Sequence, residues 1–269
     1  VWAVISILAT VGTAPSLADR TKSFHPASVS SKPQFSLIIP AYNEEALLPR
    51  TLAQVWEAMD AQSLSGELIV VDNNSTDATA AVAQKGGARV VFEAHNQIAR
   101  ARNAGAAAAL SPFLIFLDAD TEMPAELLRR ALENLSSGEI AGGGATIRFD
   151  RPQGAIGEWC LRCWTWGSIT FRLAAGSFVY ARRDAFEAVG GFSPKVYAGE
   201  EIVFSRAMRR WAAKRGQRFE VIPSPPVTTS ARKFEWYPPW KVALTHFLLG
   251  LFPPLVRSRR FCQFWYQRP

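Results

Sequence analysis

Phe113-Leu114-Ile115-Phe116-Leu117-Asp118-Ala119-Asp120 decides the fold. Five apolar residues in unbroken succession predict a strand buried on both faces, and two aspartates stand where it ends. The same grammar recurs on the N-terminal side. Ala-rich Ile98 to Leu110 is a strong helix former, and Ala88 to Phe92 reads as a strand. A helix capped by Asn74 or Ser75, with Asp77 in its first turn, runs to Gly86-Gly87. Leu68 to Val71 is a second buried strand ending at Asp72; a helix over about Glu44 to Met59 precedes it, and Phe35 to Ile39, closed by Pro40, is the first strand. Repeated β-α units with strands apolar throughout predict an α/β fold, a mostly parallel central sheet with helices on both faces. In such sheets ligands bind beyond the carboxyl ends of the strands. Three of the four strands end there in polar groups: Tyr42-Asn43-Glu44, Asp72-Asn73 and Asp118-Ala119-Asp120. No G-x-G-x-x-G follows the first strand and no G-x-x-x-x-G-K-[ST] occurs, so neither a dinucleotide fingerprint nor a P-loop is present.

The rim residues carry a chemistry. Asp118 and Asp120, one residue apart at a strand end, can face one cation, and hard ions such as Mg²⁺ or Mn²⁺ take oxygen ligands shared with substrate phosphates. The alternative is two solvated turn aspartates. Asp72, at its strand end, can accept a hydrogen bond from a nucleobase N–H, on which Tyr42 can stack. Composition agrees with an anionic ligand: 30 Lys and Arg against 23 Asp and Glu give a net charge of +7, which favours phosphates, nucleotides or an acidic membrane surface. Over 269 residues, 48% hydrophobic and 20% charged side chains exclude general disorder, and three cysteines exclude a disulfide scaffold.

The chain divides into an apolar segment (1–18), read as a membrane anchor in preference to a signal-like segment, a linker rich in Ser, Pro, Lys and Thr (19–33), a main domain (34–236) and a C-terminal segment (237–269). Val242 to Val256 is uncharged but broken by Pro253-Pro254, and Arg257, Arg259, Arg260, Phe261, Phe264, Trp265 and Tyr266 surround its end. That pattern reads either as an interfacial membrane-associating segment or as a core helix with a frayed tail.

Phe35-Ser-Leu-Ile-Ile-Pro-Ala-Tyr-Asn-Glu-Glu45, Ile69-Val-Val-Asp-Asn-Asn-Ser-Thr-Asp77 and Asp118-Ala-Asp-Thr121, followed by Ala175-Gly-Ser-Phe178, Arg182-Arg183, Gly190-Gly-Phe192 and Gly199-Glu-Glu201, together resemble the ordered signatures of family 2 glycosyltransferases. The resemblance covers about Phe35 to Trp211. It implies a GT-A (Rossmann-like) fold, with a nucleotide-sugar-binding half (34–121) and an acceptor half (122–236), and inverting transfer of a single sugar from a nucleoside-diphosphate sugar, UDP ahead of GDP. The acceptor would be a hydroxyl of a glycan, lipid or small molecule at a membrane surface, with the catalytic domain on the cytoplasmic side. Donor contacts fall by resemblance on Pro40, Tyr42, Glu44, Asp72, Asn73, Arg102, Asn103, Asp118 and Ala119. Asp118 and Asp120 become the DXD pair that holds Mg²⁺ or Mn²⁺, with Asp120 the more direct ligand. Family members usually carry Glu-Asp at the base position. Here Glu200-Glu201 stands there, which assigns the catalytic step to this pair and the proton to Glu201. A processive Gln-x-x-Arg-Trp is missing, and Arg232 and Lys233, in the general region, offer charge for the leaving diphosphate. The rivals are a nucleotide-sugar-binding protein without turnover and a sugar-phosphate nucleotidyltransferase; the latter needs a Gly-rich, Arg-containing loop that Ala41-Tyr42-Asn43-Glu44 is not.

Other features do not read as sites. Cys160-Leu-Arg-Cys163 lacks the further ligands of a zinc site, and with Trp159, Trp164 and Trp166 it predicts a packed aromatic helix, an acceptor-pocket lining being the second reading. Three histidines are scattered. Arg206, Arg209, Arg210, Lys214, Arg215 and Arg218 read first as a solvated helix face and second as a contact for anionic lipid headgroups. No nucleic-acid-binding pattern is present.

Overall fold

A computed structural model describes residues 32–232, 253–262 and Tyr266. The anchor expected over 1–18, the linker apart from its last two residues and most of the C-terminal segment lie outside the described residues.

The chain runs β1 (Phe35–Ala41), α1 (Leu48–Asp60), β2 (Gly66–Asp72), α2 (Thr79–Lys85), β3 (Arg89–Phe92), α3 (Ile98–Ala108), β4 (Phe113–Leu117), β5 (Thr121–Glu122), α4 (Ala125–Ser136), β6 (Ile140–Phe149), α5 (Gly154–Phe171), β7 (Phe178–Arg182), α6 (Arg183–Ala188), α7 (Glu200–Ala213) and β8 (Arg218–Thr229). Among the described residues these strands form one sheet in the order β3-β2-β1-β4-β7-β6-β8-β5. Strands β1 to β4, the half read most directly from sequence, pair in parallel. The sheet as a whole is mixed. β7 runs against both β4 and β6, β8 returns parallel to β6, and β5 closes the edge antiparallel to β8.

Successive residues of a strand point to opposite faces, and the apolar runs feed two cores. Leu37, Ile39, Val70, Ile115 and Leu117 pack against α1, α2 and α4 on one face. Ile38, Ile69, Val71, Leu114 and Phe116 pack against α3, α6 and α7 on the other. The second face carries an aromatic cluster in which Phe116 meets Phe186 at 5.4 Å and Phe192 at 5.1 Å between ring centroids. Phe192 in turn stacks on Phe204 at 4.5 Å, and each such pair adds about 0.5–1.5 kcal/mol beyond its buried area. At Gly105 the backbone of α3 touches the sheet: a Cβ there would lie 2.3 Å from Ile38 Cγ2, which fixes the height of α3 over the rim.

Two helices begin later than the sequence predicts, for one reason. The backbone N–H groups of Asn43, Glu44 and Glu45 are taken by Ser75 Oγ (3.0 Å), Thr79 Oγ1 (2.7 Å) and Asp77 Oδ2 (3.2 Å). Both β-α loops thus spend their capping groups on each other, and α1 and α2 start only at Leu48 and Thr79. Asn74 and Ser75 cap nothing, and Asp77 sits ahead of α2. A second difference concerns α5. It is helical, but Trp159 and Trp166 are 66% and 65% exposed and Ser168 is its one buried residue. Trp159 and Trp166 are therefore not packed in a core; the less exposed face of α5 carries Gly157, Leu161, Trp164, Thr165 and Ser168. Near the other end, Pro253–Arg257 forms a 3-10 turn whose Val256 carbonyl accepts from Tyr197 N–H at 2.6 Å. Among the described residues no helix is long and apolar enough to cross a membrane.

Candidate active site

The carboxyl ends of β1, β2 and β4 meet at one rim, as the parallel register requires: Ala41 lies beside Asp72, and Asn73 N–H donates to Ala41 carbonyl at 2.8 Å. Asp72 is nearly buried. Its Oδ1 accepts the Ser75 N–H at 3.0 Å, and Oδ2 makes no hydrogen bond among the described residues. Tyr42 lies half-buried next to it, and Pro40 is a buried residue of β1 in register with Val71.

Asn73 has a different role from the one expected. Its amide donates to the carbonyls of Glu93 (3.2 Å) and His95 (2.6 Å), and its Oδ1 accepts Gln97 N–H at 2.9 Å. Both ends of the side chain hold the β3–α3 loop. Asn103 is likewise structural. Its amide donates to Phe192 carbonyl (2.8 Å) and its Oδ1 accepts Phe192 N–H (2.9 Å), a two-point clamp on the Gly190-Gly191-Phe192 turn.

The turn after β4 is braced from three elements. Asp118 N–H donates to Ser177 carbonyl (3.2 Å), Ala119 carbonyl accepts Thr51 Oγ1 (2.7 Å), and Asp120 carbonyl accepts Ser230 N–H (3.3 Å). Ala119 is thereby buried, and the flanking aspartate side chains are held apart from the core. Asp118 is 23% exposed and accepts Arg102 Nη2 at 2.9 Å. Asp120 is 10% exposed and accepts Arg232 Nη2 at 3.1 Å, and the same Arg232 nitrogen donates to Glu44 Oε1. Among the described residues no cluster of three His, Cys, Asp or Glu side chains makes a metal cage. Two carboxylates fit an ion that takes one or two of them and completes its shell with phosphate oxygens and water. The position beside Asp120 already accepts a cationic group, the Arg232 guanidinium.

Arg102 was expected to approach the donor. Instead it is 1% exposed and joins the two halves of the site. Nη1 donates to Glu200 Oε1 at 2.7 Å, Nη2 to Asp118 and to Gly176 carbonyl at 2.7 Å, and the guanidinium lies 5.1 Å from the centre of the Phe192 ring. Burial alone would lower its pKa; the surrounding Asp118, Glu200 and Glu201 outweigh that and raise it. Glu200 is nearly buried, and its Oε1 accepts from Arg102, which it helps to position. Glu201, the next residue, is partly exposed. Burial pushes its carboxyl up to about 8, with the charges of Glu200 and Asp118 adding to the effect and Arg102 offsetting it. Both acids open α7 because Gly199 caps the helix at φ 70°, a conformation that favours glycine.

Arg102 therefore unites Asp118 with the Glu200-Glu201 pair, and Arg232 unites Glu44 with Asp120. The first link is invisible in sequence because its partners are 16 and 98 positions away from Arg102. The single signal available was an arginine in an otherwise Ala-rich helix facing the sheet.

Comparison with known proteins bears on this geometry. The sequence pattern described as Glycosyl transferase family 2 matches residues 36–190. An uncharacterised glycosyltransferase of Mycobacterium tuberculosis is 39% identical over 103 residues, 38% of this chain and 44% of its own length. An undecaprenyl-phosphate 4-deoxy-4-formamido-L-arabinose transferase of Pseudomonas aeruginosa is 33% identical over 139 residues, 47% of this chain and 39% of its own. The chain thus spans less than half the length of these relatives. Among solved structures, a mannosyltransferase of Pyrobaculum calidifontis in complex with GDP-Man and Mn²⁺ superposes with a TM-score of 0.61 at 19% identity, covering 88% of this chain and 70% of that one; at that identity the likeness is one of fold. The family match extends over more than half the chain, from β1 to the glycine turn before α7, and this chain belongs to glycosyltransferase family 2.

Proposed function

We propose that the protein transfers a single sugar from a nucleoside-diphosphate sugar, UDP ahead of GDP, to an acceptor hydroxyl at a membrane surface, with inversion at the anomeric carbon. The observation that supports this reading is the Arg102 network, in which one buried guanidinium bonds Asp118, after β4, and Glu200, the neighbour of Glu201 at the start of α7.

Tyr42 and Asp72 would hold the base, the latter through Oδ2, which accepts no hydrogen bond among the described residues. Asp118 and Asp120 would hold Mg²⁺ or Mn²⁺, which supplies Lewis-acid charge to the diphosphate. Arg232, now on Asp120 and Glu44, lies where its guanidinium can pass to the diphosphate as negative charge develops. Glu201 takes the proton of the acceptor hydroxyl. The acceptor oxygen forms the new bond to the anomeric carbon from the side opposite the diphosphate, which departs with the electron pair of the broken bond. A carboxylate raised toward neutral pH is a better matched base than an ordinary one. The acid nearest to it on the donor side, Asp118, contributes to that rise, so neutralising Asp118 lowers the pKa of Glu201 and readies the base when the donor site is filled.

The reading extends to a lipid-linked acceptor through the Pseudomonas relative, whose name specifies undecaprenyl phosphate. Titration of UDP-, GDP- and dTDP-sugars with Mn²⁺ and with EDTA tests it: one donor binds in a metal-dependent way and Asp120→Ala abolishes the binding. Absence of metal-dependent binding to any donor, or release of pyrophosphate on turnover, overturns it.

A further inference from the structure

The polar rim leaves one large feature unexplained. α5 has 18 residues, about 27 Å of helix, and almost none of it is buried. Ile156 is 81% exposed, and Trp159, Cys163 and Trp166 follow at spacings of three, four and three. These offsets place them on one stripe of the helix. Phe171, at the end of α5, is 52% exposed and meets Trp166 edge-on at 5.8 Å. A surface helix normally turns such a stripe inward, and a contiguous exposed apolar patch marks a contact site.

At the C-terminal end of this helix lies a cavity of about 400 Å³ lined by Arg172, Arg206, Arg209, Arg210 and Arg218, with no acidic side chain in its lining. Arg218 is paired with Glu139 at 3.1 Å. Among the described residues the other four make no ion pair, and Arg209 donates to Phe171 carbonyl at 2.5 Å, which ties the cavity to the end of α5. The aromatic stripe and the basic cavity are therefore continuous.

We propose that α5 and this cavity form a docking surface for an anionic phospholipid bilayer. The inference rests on the reading of the enzyme as one that works at a membrane surface, and it names the face that makes the contact. Exposed tryptophans beside a cluster of arginines are the chemistry of the bilayer interface, with the rings among headgroups and upper acyl chains and the guanidinium groups on lipid phosphates. A small free anion would use the cavity and leave the stripe bare. An apolar protein partner would match the stripe but not the four arginines that make no ion pair among the described residues.

The test is co-sedimentation of the full chain with vesicles of phosphatidylcholine alone and of phosphatidylcholine with 30% phosphatidylglycerol, at fixed salt. The docking surface predicts binding to the anionic vesicles only, reduced roughly 30-fold in Arg206→Ala/Arg210→Ala, reduced also in Trp159→Ser/Trp166→Ser, and retained in Arg206→Lys/Arg210→Lys. Equal binding to both vesicles, or binding to the anionic ones that neither the alanine nor the serine pair changes, overturns it. So does self-association of the chain that the serine pair abolishes while vesicles are ignored. Metal-dependent donor binding is followed in the same variants. It stays intact whether or not docking fails, so this proposal and the transfer reading fail separately.

Discussion

Along the β1 and β2 ends of the rim the polar side chains are spent on neighbouring backbone, whereas between β4 and α7 they are spent on one another. Ser75, Asp77, Thr79 and Asn73 each hold an N–H or carbonyl of an adjoining loop, so the β1–β2 end of the rim is a distributed lattice of short-range bonds. The rim between β4 and α7 depends on a single buried guanidinium between Asp118 and Glu200. Redundancy makes the first tolerant of loss. Concentration of charge makes the second sensitive, because removing one member of a buried pair leaves the other uncompensated.

The largest expected effect follows from that contrast. Arg102→Ala is expected to cost about 3–5 kcal/mol of stability, and Asn73→Ala about 1–3 kcal/mol for its unpaired backbone partners. Urea unfolding of the two variants measures both, and equal costs would break the comparison. Next is Glu201→Gln, expected to lower the rate of transfer by ~10²–10⁴ while metal-dependent donor binding is unchanged. The same variant carries a pH signature. The folded chain holds the Glu201 proton up to about 8, while the unfolded chain releases it in the ordinary carboxylate range. Between those limits the native state binds more protons, so this group makes stability fall as pH rises. Glu201→Gln should flatten that slope between pH 5 and 8, as read by thermal melts in buffers across this range. A slope that persists in the variant would show that Glu201 does not sit in the charge network.

How far the sequence discloses each rim follows from the same distinction. The strands and the polar ends of β1, β2 and β4 were legible because each is written in five to seven adjacent residues. The starts of α1 and α2 were not, since their capping groups bond across 32 to 35 positions. Asn73 and Asn103 carried the right residue type, yet their partners on the β3–α3 loop and at Phe192 turned both from ligand readers into braces. Glu201 was legible as an acid at a helix start; that Glu200 would be consumed by Arg102 was not. The apolar letters of α5 spell a core helix, and only the folded structure shows that, among the described residues, nothing covers Trp159 and Trp166.

A smaller effect is expected at the bridge between the rims' edges. Arg232 stands on Asp120 and Glu44, so Arg232→Ala removes a cation from the place where a divalent ion would be held. Mn²⁺ affinity without donor should rise by about 1–2 kcal/mol, seen in the electron-paramagnetic-resonance signal of free Mn²⁺. Donor affinity in the presence of Mn²⁺ should fall. A fall in both would place Arg232 among the groups that build the site, not among those that exchange partners within it.

The smallest effect sharpens the contrast most, because it is a predicted absence in large side chains. Phe116→Ala, in the aromatic cluster beneath Arg102, is expected to cost about 3–5 kcal/mol. Trp159→Ser/Trp166→Ser removes two larger rings, yet both are two-thirds exposed, and exposed substitutions usually stay within about 0.5 kcal/mol. If unfolding confirms the difference, the tryptophans of α5 do not serve the fold, and their cost to solubility must be offset by a contact outside the folded chain. If the double variant is instead destabilised by 2 kcal/mol or more, α5 is covered within the folded chain and the aromatic letters had their ordinary meaning.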